Sequence, residues 1–388
     1  MQAVQGDRIT AIYVDPEDEF GEEQTLRTTS NITGSIALTD TDGVEQLNFP
    51  TSSTLYIKIT DSDRNTNSGT AETITATASS ETETSAETVT LTETGVNTGI
   101  FMGSITLAVA AASNGDGVLQ VTRGDKLTGL YTDPADDYGN QTTVTDVAFY
   151  AVTLTTGSLS SSTTWTAANS PYLVTGDVTI GNNITLTIEA GVEVRFLKVS
   201  DDQSSGQDVN RSELRIDGGS LIAEGTVSDS IVFVSNAESP DENDWYGFYC
   251  TSNVGVIRLR YVSFRHASYV LSSGSSMNSI QFFGNQSDSL RITNSFFRDI
   301  GSNVFYGRLY SYQDARMTIK NNKFSDFSTF LYGAIVNDNG LLDIDGNEFI
   351  GNHGSLSGDN WRAQEAGSKI RFTNNQSTNN SQLNFYAA

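Results

Sequence analysis

Apolar and polar residues alternate in short runs through residues 51–157. In residues 54–60, Leu55, Ile57 and Ile59 alternate with polar or amphipathic neighbours. A period of two is typical of a half-buried β-strand, whereas a helix would repeat every 3.6 residues. The same pattern predicts seven strands, at 54–60, 72–79, 87–92, 100–109, 118–121, 126–132 and 141–152. Short strands separated by turn residues favour an immunoglobulin-like β-sandwich over residues 51–157.

A segment at the start of the chain recurs 118 residues later. Residues 6–21 (GDRITAIYVDPEDEFG) and 124–139 (GDKLTGLYTDPADDYG) are identical at eight of 16 positions. Residues 1–50 are therefore expected to hold part of a second sandwich copy, with strand stretches at 8–14, 24–32 and 34–47. A partial sandwich exposes an apolar face and strand edges. We expect a preceding domain, a partner or another copy of the chain to cover them.

A different repeat follows a Ser/Thr-rich linker at residues 158–164. A short unit of alternating apolar residues, a turn Asn and a Phe recurs between residues 257 and 376. Its inward apolar positions, which lie 33, 27, 25 and 28 residues apart, are Leu259, Ile292, Ile319, Ile344 and Phe372. Spacings of this size match one coil of a parallel β-helix, in which each coil stacks on the last. We therefore predict a parallel β-helix over residues 158–388 and an all-β chain.

The same unit predicts two stacked columns of side chains. An asparagine ladder is expected at one corner, from Asn294, Asn321 and Asn374. A phenylalanine stack is expected inside the coils, from Phe264, Phe297, Phe324 and Phe349. Both columns are interpreted as structural.

The net charge of the chain limits which kinds of molecule it can bind. The chain has 22 basic and 47 acidic residues, a net charge of −25, and residues 1–150 alone hold 6 basic and 23 acidic residues. Such a surface repels nucleic acid and anionic membranes. The one cysteine, Cys250, rules out an internal disulfide and lies in an apolar strand, so we expect it to be inert. Few cysteines and many acids favour an extracellular, prokaryotic setting.

Membrane and export signals are not apparent. No stretch approaches the ~20 apolar residues of a spanning helix. The first residues, MQAVQGD, lack the apolar core of a signal peptide. We therefore expect that any export signal was removed or is not part of this sequence.

Two parts of the chain resemble known families. TLYIKITDSDRNTN, ETVTLTETGVNTGIFMGSITL and GDKLTGLYTDPADDYGN, within residues 54–145, resemble repeats of large prokaryotic surface and adhesin-type proteins. TTWTAANSPYLVTGDVTIGNNITLTIEAGVEVRF (163–196), SLIAEGTVSDSIVFVS (220–235) and ENDWYGFYC (242–250) resemble pectate-lyase-like parallel β-helix domains, including their Trp-x-Gly-apolar turn. The first resemblance implies an extracellular stalk or spacer. The second implies that the β-helix of residues 158–388 is a right-handed parallel β-helix.

Acidic turns suggest calcium. Ca²⁺ takes six to eight oxygen ligands, which alternating carboxylates on a turn can supply. The candidate ligands lie after a strand or in the repeated segment, and are Asp61, Asp63, Asn65, Asp133, Asp136, Asp137, Asp15 and Asp18, with Glu19 beside the last. The run from Asp61 to Asn65 begins like an EF-hand loop, but it has no Gly at the sixth position and no Glu at the twelfth. The alternative is that these acids cap turns and solubilise the surface.

Polysaccharide cleavage is a second candidate chemistry, because β-helix enzymes of the pectate-lyase type combine carboxylates with a basic residue. The acidic loop Asp241, Glu242 and Asp244 precedes Trp245. The basic residues of the coils are Arg258, Arg260, Arg265, Arg291 and Arg298, and the histidines are His266 and His353. No spacing repeats so as to stack an acid beside a base, and Arg258 and Arg260 are expected on an outer face. We therefore predict no enzymatic activity, and keep a lyase or hydrolase as the alternative.

Aromatic residues are dense between positions 305 and 332. They are Tyr306, Tyr310, Tyr312, Phe327, Phe330 and Tyr332. Exposed rings of this kind stack on sugars, whereas buried rings fill a core. We expect core and loop packing rather than a sugar site.

The preferred interpretation is an extracellular structural or adhesive surface protein. A sharper hypothesis adds head-to-tail assembly into a filament, in which residues 381–388 (SQLNFYAA) of one copy complete the partial sandwich of the next. The alternative is a carbohydrate-active or carbohydrate-binding β-helix carried on sandwich spacers.

Overall fold

The computed structural model describes residues 10–15, 24–29, 32–251, 253–275, 278–283, 289–350, 360–364 and 366–378. The described chain is built of β-strands and two short 3₁₀ turns, so the all-β prediction is confirmed. Residues 1–152 and 153–388 form two compact units. The boundary between them lies five residues before the predicted start of the β-helix at residue 158.

The first unit contains eleven described strands. They are β1 (Thr10–Asp15), β2 (Gln24–Thr29), β3 (Ser35–Thr39), β4 (Asn48–Phe49), β5 (Thr54–Thr60), β6 (Thr73–Ser80), β7 (Glu87–Glu93), β8 (Ile100–Ala108), β9 (Val118–Gln120), β10 (Lys126–Asp133) and β11 (Thr142–Tyr150). A 3₁₀ turn, Ser62–Arg64, follows β5. The seven strands predicted between residues 51 and 157 are β5 to β11, and their bounds differ by at most two residues.

Strands β3 to β11 form one curled sheet in the order β3-β5-β8-β7-β6-β10-β11-β4, with β9 added beside β8. Along β7 every second residue is buried, as the period of two requires. The Leu38 amide on β3 donates to the Asp146 carboxylate on β11 (2.6 Å), so distant strands in this order close around one core. These pairings connect all nine strands into a single sheet. They do not test the immunoglobulin-like arrangement, which stays a prediction.

Two of the strands before residue 50 pair with strands of residues 54–150, which the sequence did not predict. Strand β3 pairs antiparallel with β5, and β4 pairs parallel with β11, so both belong to the same sheet as residues 54–150. The reason is that pairing between distant strands leaves no mark in local alternation. Strands β1 and β2 form a separate antiparallel hairpin, with Thr10 opposite Thr29 and Asp15 opposite Gln24.

The second unit contains twenty-five described strands. They are β12 (Thr153–Ser158), β13 (Thr163–Trp165), β14 (Tyr172–Ile180), β15 (Thr185–Ile188), β16 (Glu193–Phe196), β17 (Glu213–Ile216), β18 (Ser220–Glu224), β19 (Ile231–Ser235), β20 (Gly247–Cys250), β21 (Asn253–Val254), β22 (Ile257–Arg260), β23 (Val262–Arg265), β24 (Leu271–Ser272), β25 (Ser279–Phe283), β26 (Leu290–Thr293), β27 (Phe296–Arg298), β28 (Asn303–Tyr312), β29 (Arg316–Lys320), β30 (Lys323–Ser325), β31 (Thr329–Val336), β32 (Leu341–Asp345), β33 (Glu348–Ile350), β34 (Asn360–Ala363), β35 (Lys369–Thr373) and β36 (Gln376–Thr378). A 3₁₀ turn, Ala167–Asn169, lies between β13 and β14.

All pairings described in this unit are parallel, and they stack the strands into three faces of a β-helix. Face 1 is β13, β15, β18, β22, β26, β29, β32 and β35. Face 2 is β16, β19, β23, β27, β30, β33 and β36, and face 3 is β17, β20, β21, β24, β25, β28, β31 and β34. Strand β14 serves both, because its first half pairs with β16 and its second half with β17. The parallel β-helix prediction is therefore confirmed as a fold.

The predicted coil register is the observed one. Leu259, Ile292, Ile319, Ile344 and Phe372 are successive partners along face 1. The first four are fully buried in one core that runs from Trp165 to Trp361. The predicted phenylalanine stack also forms, with ring-centre distances of 5.9, 5.0 and 5.4 Å between successive members of Phe264, Phe297, Phe324 and Phe349.

The corner ladder lies one residue later than predicted. Asn294, Asn321 and Asn374 adopt φ values of 53°, 55° and 53°, the left-handed turn conformation that Asn tolerates well. The ladder itself is made by the next residues, Asn322, Asn347 and Asn375. The Asn322 Nδ2 donates to the Asn347 Oδ1 (3.0 Å), and the Asn347 Nδ2 donates to the Asn375 Oδ1 (2.9 Å).

Each ladder amide also ties neighbouring coils together through the main chain. The Asn347 Nδ2 donates to the Ile319 carbonyl of the coil before (2.8 Å), and the Asn347 Oδ1 accepts the Asn322 amide (3.0 Å). Asn347 is 1 % exposed. Its side chain therefore satisfies buried groups that have no access to water.

Replacing Asn347 with Ala should destabilise the β-helix. The change leaves several buried donors and acceptors unpaired, each costing about 1–3 kcal/mol. We expect the melting temperature of Asn347→Ala to fall by about 5 °C or more, measured by circular dichroism. Asn210→Ala, at an exposed position, is the control. Melting of Asn347→Ala together with wild type would contradict a stabilising ladder.

Candidate functional site

The predicted calcium ligands of the first unit gather around the backbone of residues 32–34. The Asp133 Oδ2 accepts the Gly34 amide (2.7 Å), and the Asp63 Oδ2 accepts the Ile32 amide (3.0 Å). The Asp61 Oδ2 accepts the Tyr131 hydroxyl (2.6 Å). Burial, and then the charge of Asp133, raises the pKa of Asp61. The residues after β5 and β10 therefore lie close together, a proximity that the sequence did not predict.

Of the other predicted ligands, only Asp137 also contacts residues 32–34. The Asp137 Oδ1 accepts the Thr33 amide (2.8 Å), whereas Asp136 caps its own turn through the amides of Tyr138 and Asn140. The Asn65 side chain donates to Asn97 (2.7 Å). Asp15 ends β1, where only the backbone is described, and Asp18 and Glu19 lie outside the described residues.

These carboxylates do not form a cation cage as they stand. Their oxygens accept amide and hydroxyl protons, and no group of three or more acidic, His or Cys side chains in the described ranges is placed to hold a metal ion. The structure therefore explains the acids as anchors for residues 32–34, and calcium binding stays a prediction.

The calcium hypothesis has a direct check. An ion that binds only the folded chain would stabilise it. The hypothesis then expects the melting temperature to fall by several degrees in chelator and to recover with excess Ca²⁺. Identical melting curves with and without chelator would leave the hydrogen-bonded anchor as the whole explanation.

On the β-helix, the acidic loop and two arginines line a pocket of about 460 Å³. Its walls are Pro240, Asp241, Glu242, Arg265, His266, Arg298 and Asp299. Arg265 and Arg298 are partners in register on face 2. We call this the corner pocket. It brings acids beside bases, which the sequence spacing did not predict.

One arginine and one carboxylate of the corner pocket form an ion pair. The Arg298 Nε donates to the Asp299 Oδ2 (2.8 Å), and the His266 Nε2 lies 3.6 Å from the same oxygen. Burial lowers the pKa of His266. Asp244 is buried and forms an ion pair with Lys198 (3.1 Å), so its role is structural. His353 lies outside the described residues.

The aromatic residues divide between the core and face 3. Phe327 and Phe330 are buried in the core, as expected. Tyr306 and Tyr312 are half-buried on the outside, but their rings stack on Tyr269 (4.8 Å) and Phe283 (5.0 Å). Tyr310 stacks on Tyr312, and the side chain of Tyr332 lies outside the described residues. Because these rings cover one another, they act mainly as packing between coils.

A buried carboxylate pair, Asp177 and Glu213, was not predicted. Glu213 is 0 % and Asp177 is 2 % exposed. The loop between β16 and β17 covers them: the Gln207 amide donates to the Glu213 Oε1 (2.8 Å) and the Ser205 hydroxyl to the Asp177 Oδ2 (2.9 Å). At Gly206 a side chain would collide with both carboxylates. The one sequence signal is Asp177, an acid inside the mostly apolar strand β14.

This pair predicts a pH-dependent stability. Burial, and then repulsion from Asp177, raises the pKa of Glu213 from 4.5 to about 8, and Arg215 offsets part of the shift. A raised pKa means that the protonated acid stabilises the fold below pH about 5, and that this contribution is lost as pH rises towards about 8. Glu213→Gln keeps a neutral side chain, so its melting temperature relative to wild type should rise between pH 5 and 8.

The control for Glu213 is Glu242→Gln, at an exposed position of the corner pocket. It should follow wild type through this pH range. A Glu213→Gln curve parallel to wild type from pH 5 to 8 would show that the carboxyl is charged throughout.

Face 1 carries a concentration of positive charge that the sequence only partly indicated. The predicted outward placement of Arg258 and Arg260 is confirmed, because Ile257 and Leu259, which alternate with them, are fully buried. Three consecutive strands, β22, β26 and β29, together place five cations outward. We call these the cation strip: Arg258, Arg260, Arg291, Arg316 and Lys320.

An open groove of about 580 Å³ runs over the cation strip. Its lining combines cations with hydroxyl and amide side chains, and consists of Arg260, Arg291, Thr293, Asn294, Arg316, Thr318, Lys320, Asn321, Leu341 and Asp343. Lys320 is held by Asp343 (2.8 Å) on the next coil. The groove is thus polar, positively charged and shared by neighbouring coils.

Comparison with known proteins bears on the β-helix. A family model described as a pectate-lyase-like β-helix domain matches residues 157–257. The match covers the first coils, from β13 to the start of β22, and agrees with their parallel pairing. No curated protein matches the chain. The resemblance of residues 54–145 to adhesin-type repeats stays a prediction.

Two further findings concern the cysteine and membrane-spanning helices. Cys250 is fully buried, and burial raises the pKa of its thiol, so it is not a nucleophile. Within the described ranges, no helix is both long and apolar enough to cross a bilayer.

Proposed function

We propose that this chain is an extracellular structural protein of a prokaryotic surface, and that its β-helix binds a linear polysaccharide without cleaving it. The observation that carries the proposal is the uninterrupted stack of parallel coils around one core from Trp165 to Trp361. Stacked strands repeat about every 4.8 Å. Outward side chains therefore recur at regular intervals, as the units of a linear polymer do.

Three further features support the proposal. The family match at residues 157–257 is to a β-helix type compatible with a carbohydrate-active or cell-surface role. The coils share one closely packed core, which favours a rigid scaffold over a mobile one. The only cysteine is a buried thiol, which suits a chain that does not depend on disulfides.

Cleavage is the competing function, and the corner pocket is the observation that favours it. The pocket contains carboxylates, arginines and a histidine, which are the groups of acid–base chemistry. Its central carboxylate, Asp299, is already an ion pair with Arg298, and His266 titrates below its usual range because of burial. We therefore propose binding rather than catalysis.

Filament assembly remains part of the structural hypothesis. It depends on residues 381–388, which lie outside the described residues. The strand edges and faces described above do not favour it over a chain that acts singly.

A binding and turnover assay tests the proposal on the full chain. At least one polymer in a panel of immobilised neutral and acidic polysaccharides should retain the protein, and the same polymers in solution should release neither reducing nor unsaturated ends. Release of such ends, abolished by Arg298→Gln in the corner pocket, would establish the enzymatic alternative. Failure to bind any polysaccharide would contradict the proposal.

A further inference from the structure

We infer that the cation strip on face 1 is a binding surface for a linear polyanion that carries a sulfate or carboxylate on successive units. The inference rests on the proposed polysaccharide binding, and it adds the site and the chemical class of the ligand. The surface is distinct from the corner pocket, which is lined by residues of face 2 and the loop before Trp245.

On face 1, basic residues are separated from the acidic residues that dominate the chain. The chain has a net charge of −25, yet no outward position of β22, β26 or β29 is acidic. Strand pairing places Arg258 beside Arg291, and Arg260 beside Thr293, which in turn lies beside Lys320. Like charges on adjacent strands repel one another. Such a cluster is stabilised when an anion lies across it.

The cation strip ends on both sides at strands without outward cations. On β18 the corresponding outward residues are Ile222 and Glu224, and on β32 they are Asp343 and Asp345. Anionic ligands are therefore attracted to three coils and repelled beyond them. Three coils span roughly 10 Å between the first and last strand. A short stretch of polymer fits this length better than a single small ion.

The groove also contains a buried threonine hydroxyl without a partner among the described residues. Thr293 is 7 % exposed, and its Oγ1 has no hydrogen-bond partner among the described residues. Buried polar atoms ordinarily have partners. Thr293 lines the groove between Arg260 and Lys320, where a ligand hydroxyl or anionic oxygen would complete it.

The lining favours a glycan over a protein partner. Arginine binds carboxylate and sulfate through paired N–H groups, and Thr293, Thr318, Asn294 and Asn321 suit sugar hydroxyls. Protein interfaces instead centre on buried aromatic or aliphatic anchors. Leu341 is the one large apolar residue of the groove.

The test compares three polymers and three variants of the full chain. The probes are dextran sulfate, polygalacturonate and neutral dextran, with affinities measured by biolayer interferometry. Wild type should bind one or both acidic polymers, and its affinity should fall steeply between about 0.05 M and about 0.5 M NaCl. Preference between the two acidic probes separates sulfate from carboxylate as the recognised group.

The double variant Arg260→Gln/Arg316→Gln removes two exposed cations of the strip. Its Kd for the acidic polymer should rise about tenfold or more, since each lost charged hydrogen bond is worth about a factor of ten. Arg362→Gln, an exposed arginine on face 3, should bind as wild type does. Thr293→Val should weaken binding while its melting temperature stays equal or rises, because it removes an unpaired hydroxyl.

Several results would overturn the inference. If wild type binds the acidic polymers but the double variant binds them equally well, polysaccharide binding stands and the strip is not its site. If neutral dextran binds as tightly, charge does not select the ligand. If single-stranded DNA binds as tightly, or if low-salt self-association is lost in the double variant, the occupant is a nucleic acid or a second copy of the chain. Retention of no polymer at all contradicts the proposed function as well.

Discussion

The β-helix depends on one constraint: each coil must satisfy the buried polar groups and the apolar face of the coil before it. A parallel strand pair leaves its corners with main-chain groups that no strand can pair. At one corner Asn322, Asn347 and Asn375 supply those bonds, and they do so from one coil to the next. The stacked phenylalanines and the aligned aliphatic residues then fill the interior at the same register.

Fixed register has a consequence for the surface. Since successive side chains alternate inward and outward, any outward residue is held beside its partner on the next coil. This is why Arg258 lies next to Arg291, although 33 residues separate them in sequence. The same alignment places Asp343 beside Thr318 and Asp345 beside Lys320, and so ends the cation strip. The corners that hold the fold together thus also determine the pattern of charge that a ligand meets.

Much of the fold could be predicted because it repeats locally. The apolar alternation located β5 to β11, and the spacing from Leu259 to Phe372 predicted the coil register. The asparagine ladder was displaced by one residue because Asn is favoured both in left-handed turns and in ladders, and sequence alone does not separate the two roles. The pairing of β3 with β5 and of β4 with β11 was not predicted, because these partners lie far apart along the chain.

The candidate site was harder to predict for the same reason. Asp177 and Glu213 lie together under a loop to which neither of them belongs. Thr293 is buried between Arg260 and Lys320, its neighbours on the two adjacent strands. Contacts of this kind depend on tertiary packing. What the sequence could indicate was the outward direction of Arg258 and Arg260, since that follows from alternation within one strand.

The central claim is that stacked coils present a cation strip to a linear polyanion. A crystal structure of the chain with a short acidic oligosaccharide tests it most directly. The account predicts density along face 1, with anionic groups within hydrogen-bond distance of Arg260 and Arg316 and a ligand oxygen beside the Thr293 Oγ1. An oligosaccharide bound in the corner pocket, with face 1 bare, would contradict it.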